Sequence, residues 1–277
     1  MKVFIQSNSF QSIAAKVAKY SFERFGCHAE IMSVEENKIL KDKLNKKMLR
    51  NKKVVKYKND LQSFTLLRFF APTLDNFNEK ILVVDPDIFA LKSPKHLFSE
   101  IENNEHDIAC TFYNGSPRSE MMLLNAKKVN WNFKSLIEKL FNLELDYSDL
   151  MNLSFNKNLK IKNIDKKYNS HDNINSDTVL LHTTNRLTQP WKEGLKINFE
   201  RHNLGLFQKL KLHLKKIIGL NYNTSELSNQ FLKHPNNEVY NAVKLLFVEA
   251  IEEKFVSSEE IRETIKKGYI SEKIIKH

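Results

Sequence analysis

Apolar and polar positions fall into short blocks of contrasting period, and these blocks predict alternating strands and helices. Lys2–Ser7 is a β-rich run. A helix is expected from about Gln11 to Phe25, with Ser9 or Ser12 as its cap and Ile13, Val17, Tyr20 and Phe25 along one face. Gly26 ends it, and His28–Val34 reads as a second strand. A β-α-β opening of this kind predicts a parallel sheet of the nucleotide-binding type. Phe64–Ala71 is an apolar helix with Arg68 embedded in it, and Pro72 is expected to end it. Lys80–Val84 shows no alternation, which predicts a central parallel strand covered on both faces. Further strands are expected at Asp107–Phe112, Met121–Leu124 and Asp177–His182, with a helix at 134–142. Beyond residue 200 the pattern becomes helical, with amphipathic stretches at Leu204–Ile218, Glu238–Glu253 and Ser258–Lys267. The expected architecture is α/β, with a mixed, mainly parallel sheet flanked by helices over residues 1–200. Residues 201–277 form a helical C-terminal extension.

Composition narrows the class. The chain has 277 residues, of which 41% are hydrophobic, and it contains only six Gly and two Cys. Collagen-like, disulfide-framework and wholly disordered classes are excluded. No apolar run approaches the roughly 20 residues that span a bilayer, and Met1–Phe10 lacks the features of a signal peptide. The expected location is cytoplasmic, with a peripheral contact at the inner membrane face as a second option. Cys27 and Cys110 stand alone, which fits inert thiols in a reducing compartment.

Charge adds less than its size suggests. The net charge is +11, carried by 37 Lys against 7 Arg. Lys, Asn and Ile enrichment together resembles a bias toward AT-rich codons, whereas nucleic-acid recognition draws more on bidentate Arg. The charge fits an anionic small substrate or an anionic membrane surface equally well. The Lys-rich stretch 38–58 reads either as a solvated face or as an electropositive rim around an anionic ligand. The stretch Leu204–Ile218 carries Lys209, Lys211, Lys215 and Lys216 among Leu, Phe and Ile. It reads as a helix packed on the rest of the chain or as one lying on an anionic leaflet.

The candidate chemistry begins where the strongest strand ends. Lys80–Val84 runs directly into Asp85-Pro86-Asp87. Ligands of α/β sheets bind at the carboxyl ends of strands. Two carboxylates one residue apart, with Pro86 restricting the backbone between them, can share a hard divalent cation, Mn²⁺ or Mg²⁺. The competing reading is a turn in which Asp caps backbone N–H groups. His182 closes a second apolar strand and can complete an Asp/Asp/His cation site; its plain alternative is a hydrogen-bonded structural histidine. Trp191 and Lys192 follow, as a packing plate and a cation for phosphate, or as core and solvated surface.

Taken in order, these pieces resemble a family. Arg68 precedes the strand, Asp85 and Asp87 form a D-x-D, and Met121-Met122-Leu123-Leu124-Asn125 supplies an apolar strand ending in Asn. Ser148-Asp149-Leu150-Met151-Asn152 and the segment from His182 to Pro190-Trp191 complete the series. The order resembles the GT-A nucleotide-sugar glycosyltransferases, most of all family 8, the glycogenin and lipopolysaccharide-galactosyltransferase group, over about residues 1–195. The His segment here is longer than the family's and lacks its glycine, and Gln189 stands where the family has Lys before Pro.

The resemblance implies a GT-A fold and a metal-dependent transferase. Its cation, Mn²⁺ or Mg²⁺, is held by Asp85, Asp87 and His182. It implies a donor site in which Gln6, Ser7 and Asn8 read the base and Arg68, Arg186 and Lys192 supply positive charge. Asp149 and Asn152 are then candidates for the donor sugar or acceptor hydroxyl, and Glu120, Asp149 and Asp172 for a catalytic base. The donor is a nucleotide sugar, with UDP-sugars favoured, and the acceptor a glycan or lipid-linked glycan, with no nucleic-acid partner. Four rivals stand beside it. A sugar-phosphate nucleotidyltransferase is disfavoured because Gln6–Ala15 holds no Gly. A two-carboxylate hydrolase lacks a second acidic strand end at the spacing its chemistry needs. A basic binding module for nucleic acid or anionic glycan draws on the Lys-rich stretch but has no zinc-finger or RNA-binding signature. A catalytically degenerate transferase is the fourth.

Overall fold

A computed structural model describes residues 1–44, 47–50, 53–56, 63–76, 79–101, 105–129, 131–197 and 228–276. The chain opens with β1 (Lys2–Ser7), α1 (Ser12–Glu23) and β2 (His28–Ser33). The two strands run parallel from Lys2↔His28 to Ser7↔Ser33. Gly26, at φ +75°, takes the left-handed turn between helix and second strand. Next come α2 (Lys38–Leu44) and an antiparallel hairpin of β3 (Lys47–Arg50) and β4 (Lys53–Lys56). A 3₁₀ segment at Ser63–Phe69 leads into the short α3 (Ala71–Leu74).

The sheet then acquires β5 (Lys80–Val84), followed by β6 (Ile88–Ala90), β7 (Ile108–Tyr113) and β8 (Ser116–Asn125). The next elements are α4 (Phe133–Phe141), α5 (Tyr147–Met151), β9 (Ile161–Asn163), β10 (Ser170–His171) and β11 (Leu180–His182). The described chain ends with α6 (Asn237–Glu252) and α7 (Ser258–Lys266). The central sheet has the order β2-β1-β5-β8-β7-β9, and a smaller one the order β10-β11-β6. Among the described strands of the central sheet β8 alone is reversed, pairing antiparallel with both β5 and β7.

The architecture is three-layered. Leu82 and Val84 of β5 face a core shared with α1, α6, α7 and the small sheet. Ile81 and Val83 face a second core built from the 3₁₀ segment, α4 and α5. That two-sided coverage is why β5 reads as an unbroken apolar run. Trp191 stacks on Phe247 of α6, with centroids 5.9 Å apart and planes at 21°. Residues 228–276 therefore share a core with residues 1–197, while the boundary placed at residue 200 and the stretch Leu204–Ile218 lie outside the described residues.

Three expectations need correction. β5 is parallel to β1 but antiparallel to β8, so it is not a wholly parallel strand. Pro72 does not end a helix. It lies in the first turn of α3, where its missing N–H has no intrahelical partner to lose. The strand expected at Asp177–His182 begins only at Leu180, because the Asn175 side chain accepts from the Asp177 N–H (2.9 Å) and the Thr178 hydroxyl (3.1 Å). Such local side-chain bonds compete with ladder formation.

Candidate functional site

Strand register assembles the site. Asp85-Pro86-Asp87 lies between the end of β5 and the start of β6. β11 runs antiparallel to β6 with His182 opposite Ile88, and β10 runs parallel to β11 with His171 opposite His182. The Thr183 N–H donates to the Asp87 carbonyl at 3.1 Å, tying the end of β11 to the D-x-D. The Asp85 N–H donates to the Glu120 carbonyl of β8 at 3.1 Å. Five chemistry-bearing side chains, Asp85, Asp87, Glu120, His171 and His182, thus arrive from the ends or edges of β5, β6, β8, β10 and β11.

Asp85 is buried and held by Arg68 in a fork. Arg68 Nε and Nη2 reach Oδ1 at 2.9 and 2.7 Å, and Nη2 reaches Oδ2 at 2.5 Å. Gln6 Nε2 also donates to Oδ1. Arg68 Nη1 donates to Ser119 Oγ at 2.9 Å. Half-buried Asp87 accepts from Gln189 Nε2 at 3.1 Å, and its Oδ1 lies 3.4 Å from His182 Nε2. On the other side of the imidazole, Nδ1 lies 3.0 Å from Asn169 Oδ1 and 3.8 Å from Glu120 Oε1. Glu120 Oε1 accepts from Asn169 Nδ2 at 3.0 Å and lies 2.7 Å from His171 Nε2. Among the described residues two groups bring potential metal-ligand atoms within 4.8 Å of one another: Asp85/Asp87/His182 and Glu120/His171/His182.

Asp85, Asp87, Glu120, His182, Arg68 and Gln189 line a cleft of about 250 Å³ whose wall also carries Arg118, Arg186 and Lys192. A larger cleft of about 650 Å³ lies against His171 and is lined by Lys92, His96, Tyr113 and Lys166.

The sequence matches no family model and no curated protein. Structural comparison does find similar folds. An active-site mutant of LgtC superimposes with a TM-score of 0.50 at 12% identity, over 79% of this chain and 95% of that one. The galactosyltransferase LgtC in complex with donor and acceptor sugar analogs gives a TM-score of 0.48 at 11% identity, over 80% and 97%. The glycosyltransferase GlyE of Streptococcus pneumoniae TIGR4 gives 0.46 at 17% identity, over 76% and 58%. The chain has the GT-A glycosyltransferase fold.

Within this GT-A frame the electrostatics are sharply divided. Burial pushes the Asp85 carboxyl above its ordinary range, against the pull of Arg68. Burial works in the same way on Glu120 but loses: the His171 hydrogen bond and the charges of His182 and Arg68 hold that carboxyl well below the usual range. Burial lowers the His182 imidazole, yet Asp87, Glu120 and Asp85 outweigh it and raise it to about 9. Lys192, 4% exposed, is pushed down to about 8 by burial, with Asp87 opposing and Arg186 assisting. Lys192 Nζ also sits 5.4 Å above the Phe231 ring.

The GT-A cleft gathers some of the expected residues and leaves others apart. Asp85, Asp87, His182, Glu120, Arg68, Arg186 and Lys192 line it together. Gln6 is fully buried beneath it against Asp85. Ser7 and Asn8 line a separate cleft of about 580 Å³ shared with Lys16, Glu35 and α7. Asp149 Oδ2 accepts from the Asp146 N–H at 2.8 Å, closing the capping box of α5, and Oδ1 accepts from Ser154 at 3.1 Å. Asn152 Oδ1 accepts from Arg118 Nη1 at 3.2 Å at the cleft margin. Asp172 accepts from the Thr184 hydroxyl and lies 3.2 Å from His234 Nε2. Sequence reasoning passed over Asn169 and His171. Neither belongs to an apolar run, and only the β10–β11 register places them beside His182.

Proposed function

We propose that the chain is a metal-dependent glycosyltransferase that moves a sugar from a nucleoside-diphosphate donor to a glycan or lipid-linked glycan acceptor. The observation that carries this reading is the convergence of Asp85, Asp87 and His182 at the carboxyl end of β5, in a cleft that also holds Arg186 and Lys192. Two carboxylates and one imidazole form a donor set suited to Mn²⁺, with Mg²⁺ as the harder alternative. Such a cation, when bound, offsets the charge that builds on a departing diphosphate. The chain's own cations act in the same sense. Arg186 and Lys192 flank the cleft and can bind diphosphate oxygens. Arg68 acts through Asp85, fixing the carboxylate plane. Glu120, Asp149 and Asn152 remain the candidates for contacts with the transferred sugar and acceptor.

UDP is the favoured nucleotide. At a concentration 100 times its dissociation constant it stabilises the folded chain by about 2.7 kcal/mol. Thermal melts with UDP, GDP, CDP and ADP, each with Mn²⁺, Mg²⁺ or EDTA, test the reading. The expected result is a rise in melting temperature with one nucleotide that EDTA removes. A purely charge-driven binder gives shifts that ignore EDTA and collapse with salt. No described helix is long and apolar enough to cross a membrane.

Lys192 gives a pH prediction. Below pH 8 its side chain carries an ammonium that can pair with diphosphate; above pH 8 burial leaves it neutral. The part of the UDP affinity that Lys192 supplies should therefore fall as pH rises from 7 to 9. Lys192→Met should bind UDP about ten- to a hundredfold more weakly at pH 7, the size of one charge-assisted hydrogen bond, and should lose most of that pH dependence. Calorimetric titration across the pH range checks both. Parallel curves for wild type and variant would remove Lys192 from the diphosphate.

A further inference from the structure

His182 presents its two ring nitrogens to two different ligand groups. Nε2 faces Asp87 and Nδ1 faces Glu120. Both groups have ligand atoms close enough to hold a cation, and they share this one histidine. A neutral imidazole has a single lone pair to give, on the nitrogen that carries no proton. Whichever nitrogen is protonated decides which group is completed.

Asn169 settles the choice. Its Nδ2 lies 3.0 Å from Glu120 Oε1 and 3.0 Å from Thr111 Oγ1. An ionised carboxylate only accepts, so the amide nitrogen must point to Glu120. The other amide atom, 3.0 Å from His182 Nδ1, is therefore the carbonyl oxygen, which also only accepts. A hydrogen bond there requires the proton on Nδ1. In the neutral ring Nε2 is then the nitrogen with a lone pair to give, on the Asp87 side. Glu120 is held in turn by His171 Nε2 at 2.7 Å. Asn169, Thr111 and His182 are all buried, so water does not substitute readily for the Asn169–His182 bond.

We infer that Asn169 is a positioning residue for His182. It holds the proton on Nδ1 and turns Nε2 toward Asp85 and Asp87, so that a divalent cation binds on that side of the ring and not between Glu120 and His171. Hydrogen-bond partners of this kind fix the tautomer and orientation of metal-binding histidines. The inference rests on the cation site proposed above. It adds Asn169, with Glu120 and His171 as the groups that hold it.

The test is Mn²⁺ binding by the full chain, followed by electron paramagnetic resonance. Asn169→Leu should raise the Mn²⁺ dissociation constant about ten- to a hundredfold. In a His182→Ala background the same substitution should change it little, since the two residues act as one unit. Pulsed resonance should show one directly bound ring nitrogen in the wild type, lost in His182→Ala and kept in His171→Ala. Asn169→Ser, which leaves room for water beside Glu120, serves if Asn169→Leu does not fold. The inference is overturned if Asn169→Leu leaves Mn²⁺ affinity unchanged, if its effect is equally large without His182, or if His171→Ala removes the bound nitrogen. Failure of the parent reading looks different. If the wild type binds no Mn²⁺, or Asp87→Ala binds it as well as the wild type, both the cation site and the inference fall. If Asp87→Ala abolishes binding while Asn169→Leu does nothing, only the positioning role falls.

Discussion

Asp87→Ala is expected to leave a folded chain that has lost metal-dependent nucleotide binding and about a thousandfold of any transferase rate. The size follows from the several kcal/mol that a cation contributes to stabilising charge in such reactions. Asp87 is the carboxylate best placed for this effect. It is half-buried, opens on the cleft, and its contacts are Gln189 Nε2 at 3.1 Å and His182 Nε2 at 3.4 Å. Asp85, by contrast, is gripped by Arg68 and Gln6. The melting-temperature rise given by the matching nucleotide and Mn²⁺ should vanish in Asp87→Ala, while its far-ultraviolet circular dichroism stays that of the wild type. Retention of a metal-dependent shift would move the cation away from the D-x-D.

Arg68→Met is expected to have the largest effect on stability. Arg68 is 4% exposed and its partner Asp85 8%. The substitution leaves the Asp85 carboxylate buried without its counter-charge, and removing one member of a buried ion pair costs about 3–5 kcal/mol. For a chain of this size that lowers the melting temperature by roughly ten degrees. Urea unfolding of the single variant measures the loss. The double variant Arg68→Met/Asp85→Leu should recover part of it, because no unpaired charge then remains buried. A loss below about 1 kcal/mol for Arg68→Met would mean that water reaches Asp85 and that the fork is not the anchor of the D-x-D.

Different parts of this molecule were legible to different degrees. The β-α-β opening and β5 were plain, because a buried strand covered on both faces must be apolar at every position, as Lys80–Val84 nearly is. The D-x-D stood out for the same reason, as charge placed directly after such a run. The direction of β8 was not legible. Met121–Leu124 says that the strand is buried, but nothing in an apolar run says whether its neighbours run with it or against it. The family resemblance implied Gln6 as a base-reading residue, yet in the structure its Nε2 donates to Asp85. Asn169 and His171 were invisible, since the β10–β11 register, not a local pattern, aligns His171 with His182. The charge of +11 contributed little to locating the cleft, where among the described Lys and Arg residues Arg68, Arg118, Arg186 and Lys192 line the wall.

Turnover of a nucleotide sugar is the most direct measurement of this transferase activity. UDP-, GDP-, CDP- and ADP-sugars should each be incubated with the wild-type chain and Mn²⁺, with and without EDTA, and release of the nucleoside diphosphate followed over time. The predicted result is release from at least one donor, UDP-sugars first, which stops in EDTA, resumes with added Mn²⁺ and is absent in Asp87→Ala. Release that continues undiminished in EDTA, or no release from any donor by a folded chain that binds the matching nucleotide, would contradict it.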